Sequence, residues 1–289
     1  GKTVGLMLAA SVWANPEPGR FMHTFNSTAV GREKSAAFVN SMPLIMDELQ
    51  IVSDKKQFDR DIYMLSEGAG KTRGNKNGGV DKTPTWANCI ITSGEMPITT
   101  SSSGGGAVNR IIEIECKEKL FSDPRRVADT VRGNYGFAGK AFVEWLQEEG
   151  SIDKAKMLFN GYREAFEKTD VTEKQTMAMG LVLTADSIVT DILFKDGKTL
   201  RINEVVEFLK TRQEVSANER ALEYIYDYIS INSLRFEQDI DDNKGEVWGV
   251  INDDYICVIR AVFNRICDEG GFNSQAVLSW LKQNGKIEF

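Results

Sequence analysis

The spacing of hydrophobic residues over the first 120 positions alternates between a helical period and short strand-like runs. Apolar residues recur at helical spacing in three segments, which predicts helices over residues 3–13, 27–40 and 55–67. Four β-rich runs predict strands at residues 20–26, 43–48, 86–95 and 109–116. Strands that alternate with helices are typical of a parallel sheet, so this part of the chain is predicted to be an α/β domain.

The pattern becomes almost wholly helical from residue 122, until the acidic run DIDDNKG interrupts it near residue 239. Beyond this run we expect a hairpin from EVWGVIND and YICVIR, two short helices, and a last strand in KIEF. Helices combined with a small hairpin indicate a winged-helix-like module. We therefore predict an α/β core, a helical region and this module, at residues 1–121, 122–238 and 239–289.

The composition is that of an ordinary soluble protein, with 42% hydrophobic and 27% charged residues and a net charge of −7. We see no signal peptide and no run of the roughly 20 apolar residues that cross a membrane, so we expect a cytoplasmic protein without membrane contact. Cys89 and Cys116 lie in apolar runs and are predicted to be buried thiols, which fits a reducing compartment. The single histidine, His23, excludes a histidine-rich metal site and makes Ser-His-Asp catalysis a poor candidate.

The sequence Gly-Lys-Thr occurs twice, at residues 1–3 and 70–72. A phosphate-binding loop has the form G-x-x-x-x-G-K-[ST] and leads into a helix, whose first backbone N–H groups hold the phosphates. The first copy leads directly into a predicted helix, although the front of the loop is missing. The second has Leu65 where the first glycine belongs, and the helix-breaking run NKNGG follows it. Gly1, Lys2 and Thr3 are therefore the better candidates to bind a nucleotide.

A nucleotide-hydrolysing site of this kind also needs an acidic residue at the end of a neighbouring buried strand. The run PLIMDE ends in Asp47 and Glu48, one strand and one helix after Lys2. We expect Asp47 and Thr3 to hold Mg²⁺ and Glu48 to orient the attacking water. Runs of hydrophobic residues followed by two acids are common, so an ordinary pair of acids at a strand end remains the alternative.

The residues from NSTAVGREKSAAFVNSMPLIMDELQ through EGAGKTRG, WANCIITSGEMP and NRIIEIE together resemble the helicase-like AAA+ domain family of prophages and mobile elements. That family was long described only as a domain of unknown function, and it is related to MCM-type and superfamily III helicases. The resemblance covers residues 1 to about 150 well and the remainder less distinctly. It implies a P-loop AAA+-type parallel sheet whose first strand is missing from this sequence, with ATP and Mg²⁺ as cofactors.

The same resemblance implies roles for three more residues. Thr92 and Ser93 occupy the sensor position near the γ-phosphate, although both hydroxyls could instead bond local backbone. Arg110 matches the arginine finger of ring ATPases, which would act on the nucleotide of a neighbouring subunit, or it is a surface residue at a strand start. Three further arginines are candidates for phosphate contact or simple surface residues: Arg125, Arg126 and Arg132.

The second Gly-Lys-Thr lies where related helicases carry a β-hairpin that grips DNA in the ring channel. Its segment carries Lys71, Arg73 and Lys76 and no acidic residue, and its glycines permit a tight turn. A solvated polar loop and a loop on the ATP side remain alternatives. The resemblance thus implies a DNA helicase-like motor that binds single-stranded or forked DNA and assembles as a ring, most simply a hexamer.

Two other functions stay open. One is a nucleotide-switched ATPase that loads or remodels a partner, and the other is a DNA-binding scaffold without unwinding activity. Because the front of the phosphate loop is missing, we expect this fragment alone to bind ATP poorly. For the C-terminal module, a regulatory or protein-binding role is at least as well supported as DNA binding, since its loops are acidic.

Overall fold

The computed structural model describes residues 1–47, 55–95, 97–99, 103–236 and 246–288, with side chains described from residue 60 in the second range. The chain forms two compact units. One consists of Gly1–Ile98 with Asn109–Leu209, and the other of Thr99–Val108 with Lys210–Phe289. The division into three regions, at residues 1–121, 122–238 and 239–289, stays a prediction.

The first unit contains a parallel sheet and most of the long helices. Its strands are β1 (Met22–Thr24), β2 (Leu44–Asp47) and β3 (Ile90–Thr92). Its helices are α1 (Lys2–Ser11), α2 (Ala29–Val39), α3 (Lys55–Glu67), α5 (Pro124–Gly133), α6 (Phe137–Leu146), α7 (Ser151–Phe166), α8 (Glu173–Val189) and α9 (Ile202–Val205). A π-helical turn at Thr190–Phe194 extends α8, and a 3₁₀ turn at Val206–Phe208 follows α9.

The three described strands lie in the order β1-β2-β3 and all pair in parallel. Thr24 lies opposite Asp47, and Met46 lies opposite Thr92, so the carboxyl ends of the strands meet at one edge. Since binding groups in open α/β sheets collect at that edge, the sheet sets the place of the candidate site. The predicted mixed α/β fold with a parallel sheet is confirmed.

Successive residues of β2 point to opposite faces, and both faces are covered by helices. Ile45 packs with Leu6 and Ala10 of α1 and with residues of α5. Leu44 and Met46 pack on the other side in a cluster to which α2 and α3 contribute. A strand covered on both faces reads as a continuous apolar run, as LIM does here.

Helices α7 and α8 pack against each other and bury a third apolar cluster that includes Phe166, Met179 and Leu183. One stretch of the described chain, Glu173–Phe194, is long and apolar enough to cross a membrane by length and composition alone. The expectation that the chain has no such run was therefore wrong. Core helices of soluble proteins satisfy the same test, and 33% of the apolar window is buried, with Leu183 fully so.

The second unit combines helices with a two-stranded antiparallel hairpin. Its helices are α4 (Gly105–Val108), α10 (Arg212–Val215), α11 (Ala217–Ile231), α12 (Arg260–Glu269) and α13 (Ser274–Gln283), and its strands are β4 (Gly249–Ile251) and β5 (Ile256–Val258). Its core joins the buried faces of α11, α12 and α13, with Ile225, Ile266 and Leu281 among the buried residues. The hairpin and the two following helices are where the sequence pattern predicted them.

Several local predictions can be compared directly. Thr28 caps α2 by accepting a hydrogen bond from the Gly31 amide. The strand predicted at 109–116 was wrong: residues 111–117 form no sheet ladder, although the Gln175 side chain donates to the Ile111 carbonyl at 2.7 Å. A high β-propensity does not make a strand without a neighbour to pair with. Residues 286–288 likewise form no strand.

The prediction of buried thiols was also wrong. Cys89 and Cys116 are exposed, whereas Cys267 is buried in the core of the second unit. Cys89 directly precedes β3, and Cys116 lies in the segment 111–117, which forms no strand. An apolar neighbourhood in sequence therefore does not decide which residues of a run face inward.

Candidate functional site

Lys2, Asp47 and Ser93 come together at the carboxyl edge of the sheet. The Lys2 Nζ donates to the Gly94 carbonyl oxygen at 2.6 Å, and the Ser93 Oγ donates to Asp47 Oδ1 at 2.5 Å. Asp47 ends β2, and Ser93 directly follows β3. These residues are separated by more than 40 positions along the chain, so the parallel sheet is what unites them.

Helix α1 brings Lys2 to this edge because its apolar face packs on β1 and β2. Gly1 lies at the N-cap position, and no described side chain caps the first turn. Thr3 is exposed in that turn. Backbone N–H groups at a helix start and a nearby ammonium group favour an anion, most simply a phosphate.

Thr92 contributes a buried hydroxyl at the end of β3. Its Oγ1 has no hydrogen-bond partner among the described residues. A buried hydroxyl without a partner costs about 1–3 kcal/mol, so such groups tend to occur at functional sites. Glu48, the predicted catalytic acid, lies outside the described residues.

The donor set suits a nucleotide with a divalent cation. Mg²⁺ prefers carboxylate and hydroxyl oxygens, which Asp47 and Thr3 offer, and phosphates are bound by lysine and helix N-termini. Within the described part of the chain there is no group of three or more His, Cys, Asp or Glu side chains that would hold a metal alone. A cation shared with bound phosphates fits this site better than an all-protein cage.

Arg110 lies elsewhere in the same unit. Its guanidinium lies 4.9 Å from the centre of the Tyr63 ring on α3. Its role toward a neighbouring subunit stays a prediction. Of the other predicted arginines, Arg132 pairs with Asp129 on α5 at 3.0 Å, and both side chains are largely exposed.

The segment between α3 and β3 forms a hairpin, here called the 69–85 hairpin. Antiparallel bridges join Ala69 to Thr85 and Gly74 to Val80. The Asn75 side chain accepts hydrogen bonds from two backbone amides of the tip, at 2.9–3.0 Å. At the base, the buried Trp86 donates through its indole to a carbonyl of α3 at 2.8 Å. The tip is therefore ordered by hydrogen bonds within the hairpin, and the residue after its base is bonded to α3.

The three basic residues of this hairpin differ in their surroundings. The Lys71 and Lys76 side chains are exposed. Arg73 instead donates to both carboxylate oxygens of Glu33 on α2, at 2.9 and 2.5 Å. The Lys71 backbone amide donates to the same carboxylate at 2.9 Å.

Glu33 is a functional candidate that reasoning from the sequence missed. It lies on the buried face of α2 beside Arg32, in phase with Ala36. Arg32 pairs with the buried Asp61 of α3 and donates to backbone carbonyls after β1. Charged residues that share the apolar stripe of a helix are the signal that could have found both. The hydrogen bond from Arg73 holds the pKa of the Glu33 carboxyl below its ordinary value, although burial acts in the opposite direction.

Comparisons with known proteins match both ends of the chain to protein families. Residues 1–86 match the family described as "Domain of unknown function (DUF927)". Residues 216–289 match the family described as "Cch helix turn helix domain". No curated protein matches.

The chain is also similar to a solved structure titled "SCCmec type IV Cch - active helicase". The TM-score is 0.74 and the sequences are 20% identical. The similarity covers 100% of this chain and 56% of that chain, so this chain spans little more than half of that protein. At this identity the likeness establishes the fold.

Proposed function

We propose that the chain is the motor part of an ATP-dependent, DNA helicase-like replication protein of a mobile element. The observation that carries this proposal is the meeting of Lys2, Asp47 and Ser93 at one sheet edge. The matched family, and a solved structure that its title calls an active helicase, support it. We also propose that the chain is related to the superfamily III and MCM helicases.

The residues at the sheet edge would divide the work as follows. Lys2 and the first amides of α1 bind the phosphates, and Thr3 and Asp47 hold Mg²⁺. Bound Mg²⁺ would neutralise charge on the phosphates. Ser93 keeps the Asp47 carboxylate oriented through its 2.5 Å hydrogen bond, and the buried Thr92 hydroxyl is available to a γ-phosphate.

Two proposed residues complete hydrolysis. Glu48 orients the attacking water, and Arg110 of a neighbouring subunit stabilises the developing negative charge. An arginine supplied by a neighbour requires a subunit interface, and a closed ring provides one at every site, so we propose self-association, most simply as a hexamer. The protein would act in the cytoplasm.

Contact with DNA would come from the 69–85 hairpin. Lys71 and Lys76 are exposed on it, and no acidic side chain lies between residues 68 and 80. Exposed basic side chains attract phosphates without selecting a base sequence, which suits single-stranded or forked DNA. The helix-turn-helix match at residues 216–289 makes the C-terminal module a second candidate for DNA contact, in which the β4–β5 hairpin would form a wing.

The proposal is tested by ATPase activity of the full-length protein with and without DNA. Activity should rise with DNA, and Lys2→Ala or Glu48→Gln should abolish it. The control is Lys174→Ala, which removes an exposed lysine of α8 and should leave the rate unchanged. Unchanged hydrolysis in both site variants would refute the motor function.

A loader or remodelling ATPase would hydrolyse ATP in the same assay but would not unwind a labelled forked duplex. A scaffold that has lost its ATPase would fail to bind labelled ATP at all. Unwinding of the forked duplex and binding of labelled ATP together distinguish the helicase-like motor, the loader or remodelling ATPase, and the scaffold.

A further inference from the structure

The second Gly-Lys-Thr and the arginine that follows it bind a carboxylate of the protein itself. Glu33 accepts the Lys71 amide at 2.9 Å and both terminal nitrogens of Arg73, at 2.9 and 2.5 Å. One backbone amide and one arginine fork thus bind the two oxygens of a single side chain. Such a planar, two-bond contact is the strongest geometry available to an arginine and a carboxylate.

The loop has been shaped for this contact at Gly70 as well. A Cβ atom on residue 70 would lie 1.8 Å from the Glu33 Oε1 and 2.5 Å from its Cδ. These distances are far below contact, so only glycine lets the carboxylate lie against the backbone. Gly70, the Lys71 amide and Arg73 therefore form one binding site, which Glu33 fills.

Because Glu33 is buried, Arg73 is held on it and is not available to an external phosphate. The Glu33 side chain is 2% exposed, whereas the Arg73 side chain is 36% exposed. If Arg73 turned to an external phosphate, Glu33 would remain buried as an unpaired charge. That costs more than one solvent-exposed phosphate contact returns.

We infer that Arg73 is a positioning residue of the DNA-contacting hairpin, and that Lys71 and Lys76 make the phosphate contacts. This inference rests on the proposed role of the hairpin in binding DNA. The Glu33–Arg73 pair fixes the first leg of the hairpin to α2, 40 residues away in sequence. The fixed leg and the ordered tip then place the Lys71 and Lys76 side chains where both can contact the same DNA strand.

The test is fluorescence anisotropy of a labelled oligo(dT) with the full-length protein, repeated over a series of salt concentrations. Each phosphate contact adds about 0.7 to the slope of log K against log salt for single strands. Lys71→Ala and Lys76→Ala should each reduce the slope by about this amount. Lys174→Ala is the matched control and should leave affinity and slope unchanged.

Arg73 and Glu33 variants distinguish positioning from direct contact. Arg73→Lys keeps the charge but loses the fork, so positioning predicts weaker binding, by several fold, with the slope unchanged. Glu33→Gln should weaken binding in the same way. If Arg73 itself held a phosphate, Arg73→Lys would bind like the wild type, and Glu33→Gln would bind more tightly because it frees the arginine. Either result would overturn the inference.

A paired variant guards against loss of folding. Glu33→Gln with Arg73→Gln removes both charges while leaving amides that can bond each other, and it should keep the wild-type slope. A slope reduced by about 0.7 in this folded variant would make Arg73 a phosphate ligand.

Trypsin digestion without DNA measures the clamp independently of its function. Cleavage after Lys71 and Lys76 should be faster in Glu33→Gln than in the wild type, and equal rates would overturn the positioning role. If both lysine variants bind DNA like the wild type while the cleavage difference persists, the DNA function of the hairpin fails and the clamp stands.

Discussion

The Ser93 hydroxyl donates to the Asp47 carboxylate at 2.5 Å and so joins the ends of two neighbouring strands, β2 and β3. Asp47 is the proposed Mg²⁺-side carboxylate, and Ser93 follows a strand whose last residue, Thr92, keeps a buried hydroxyl. The bond therefore connects the proposed cation site to the proposed γ-phosphate sensor. A substitution of Ser93 should therefore alter the orientation of Asp47, and a substitution of Asp47 should alter that of Ser93.

Ser93→Ala removes this bond and leaves Asp47 less well oriented. We expect kcat for ATP hydrolysis to fall by about 10-fold to 100-fold, with a smaller change in KM. The hydrogen bond orients the Asp47 carboxylate, and the proposed site stabilises negative charge that develops in the transition state. Steady-state ATPase kinetics measure both kcat and KM. Ser279→Ala, an exposed serine on α13, is the control. A rise in KM with unchanged kcat would assign Ser93 to substrate binding alone.

Lys2→Ala should remove nucleotide binding. A ligand at about 100 times its Kd stabilises a protein by about 2.7 kcal/mol, which is visible as a rise in Tm. We expect Mg-ATP to raise the Tm of the full-length wild type and not that of Lys2→Ala. Lys2 is exposed and donates to the Gly94 backbone carbonyl at 2.6 Å rather than to a buried side chain, so the variant should fold normally. An equal rise in both proteins would exclude Lys2 from the site.

Much of the sheet edge was predictable because it depends on local patterns. The apolar run LIMD, the cap at Thr28 and the helix after Gly1 each follow from spacing and residue type. The pairing of Glu33 with Arg73 was not, because the two residues lie 40 positions apart and a charged residue type does not indicate burial. The wrong prediction of a strand at residues 109–116 has a similar cause: β-propensity is a local property, whereas a strand also needs a neighbouring strand to pair with.

Gly70→Ala should destabilise the protein strongly. The new methyl group would overlap the Glu33 carboxylate, and relief would move this buried carboxylate away from Arg73 and the Lys71 amide. A buried acceptor that loses its partners costs about 1–3 kcal/mol. Gly74→Ala in the same hairpin is the control, since its nearest atom would be 3.8 Å away, and it should cost less than about 0.5 kcal/mol. Urea unfolding monitored by circular dichroism gives both values. Equal stabilities would mean that the carboxylate can move aside.

The contribution of Glu33 to stability should depend on pH in a defined direction. Its folded pKa is lowered by the hydrogen bond from Arg73, so its stabilising effect is complete above the ordinary value of 4.5 and disappears as the pH falls through the folded value. The free energy of unfolding should therefore differ between wild type and Glu33→Gln by a constant amount from about pH 6 to 8, and the difference should shrink below about pH 4.5.

Glu204 supplies the control for this titration. Its pKa is also lowered, by hydrogen bonds from Arg201, but the pair lies on the surface at the start of α9. Surface pairs contribute little, so the difference in the free energy of unfolding between wild type and Glu204→Gln should be smaller than that for Glu33→Gln, although it has the same direction with pH. A difference for Glu33→Gln that grows on acidification would contradict the assignment of its charge state.

Arg110 can be tested by mixing subunits. Lys2→Ala and Arg110→Ala should each abolish hydrolysis alone, because each site needs Lys2 from one subunit and Arg110 from the next. In an equal mixture about a quarter of the interfaces of the proposed ring would pair an intact Lys2 with an intact Arg110, so about a quarter of the wild-type rate should return. The control mixes Lys2→Ala with Lys2→Ala,Arg110→Ala and should stay inactive. If the first mixture also stays inactive while exchange of labelled subunits is observed, Arg110 does not act across a subunit boundary, and its contact with the Tyr63 ring is structural.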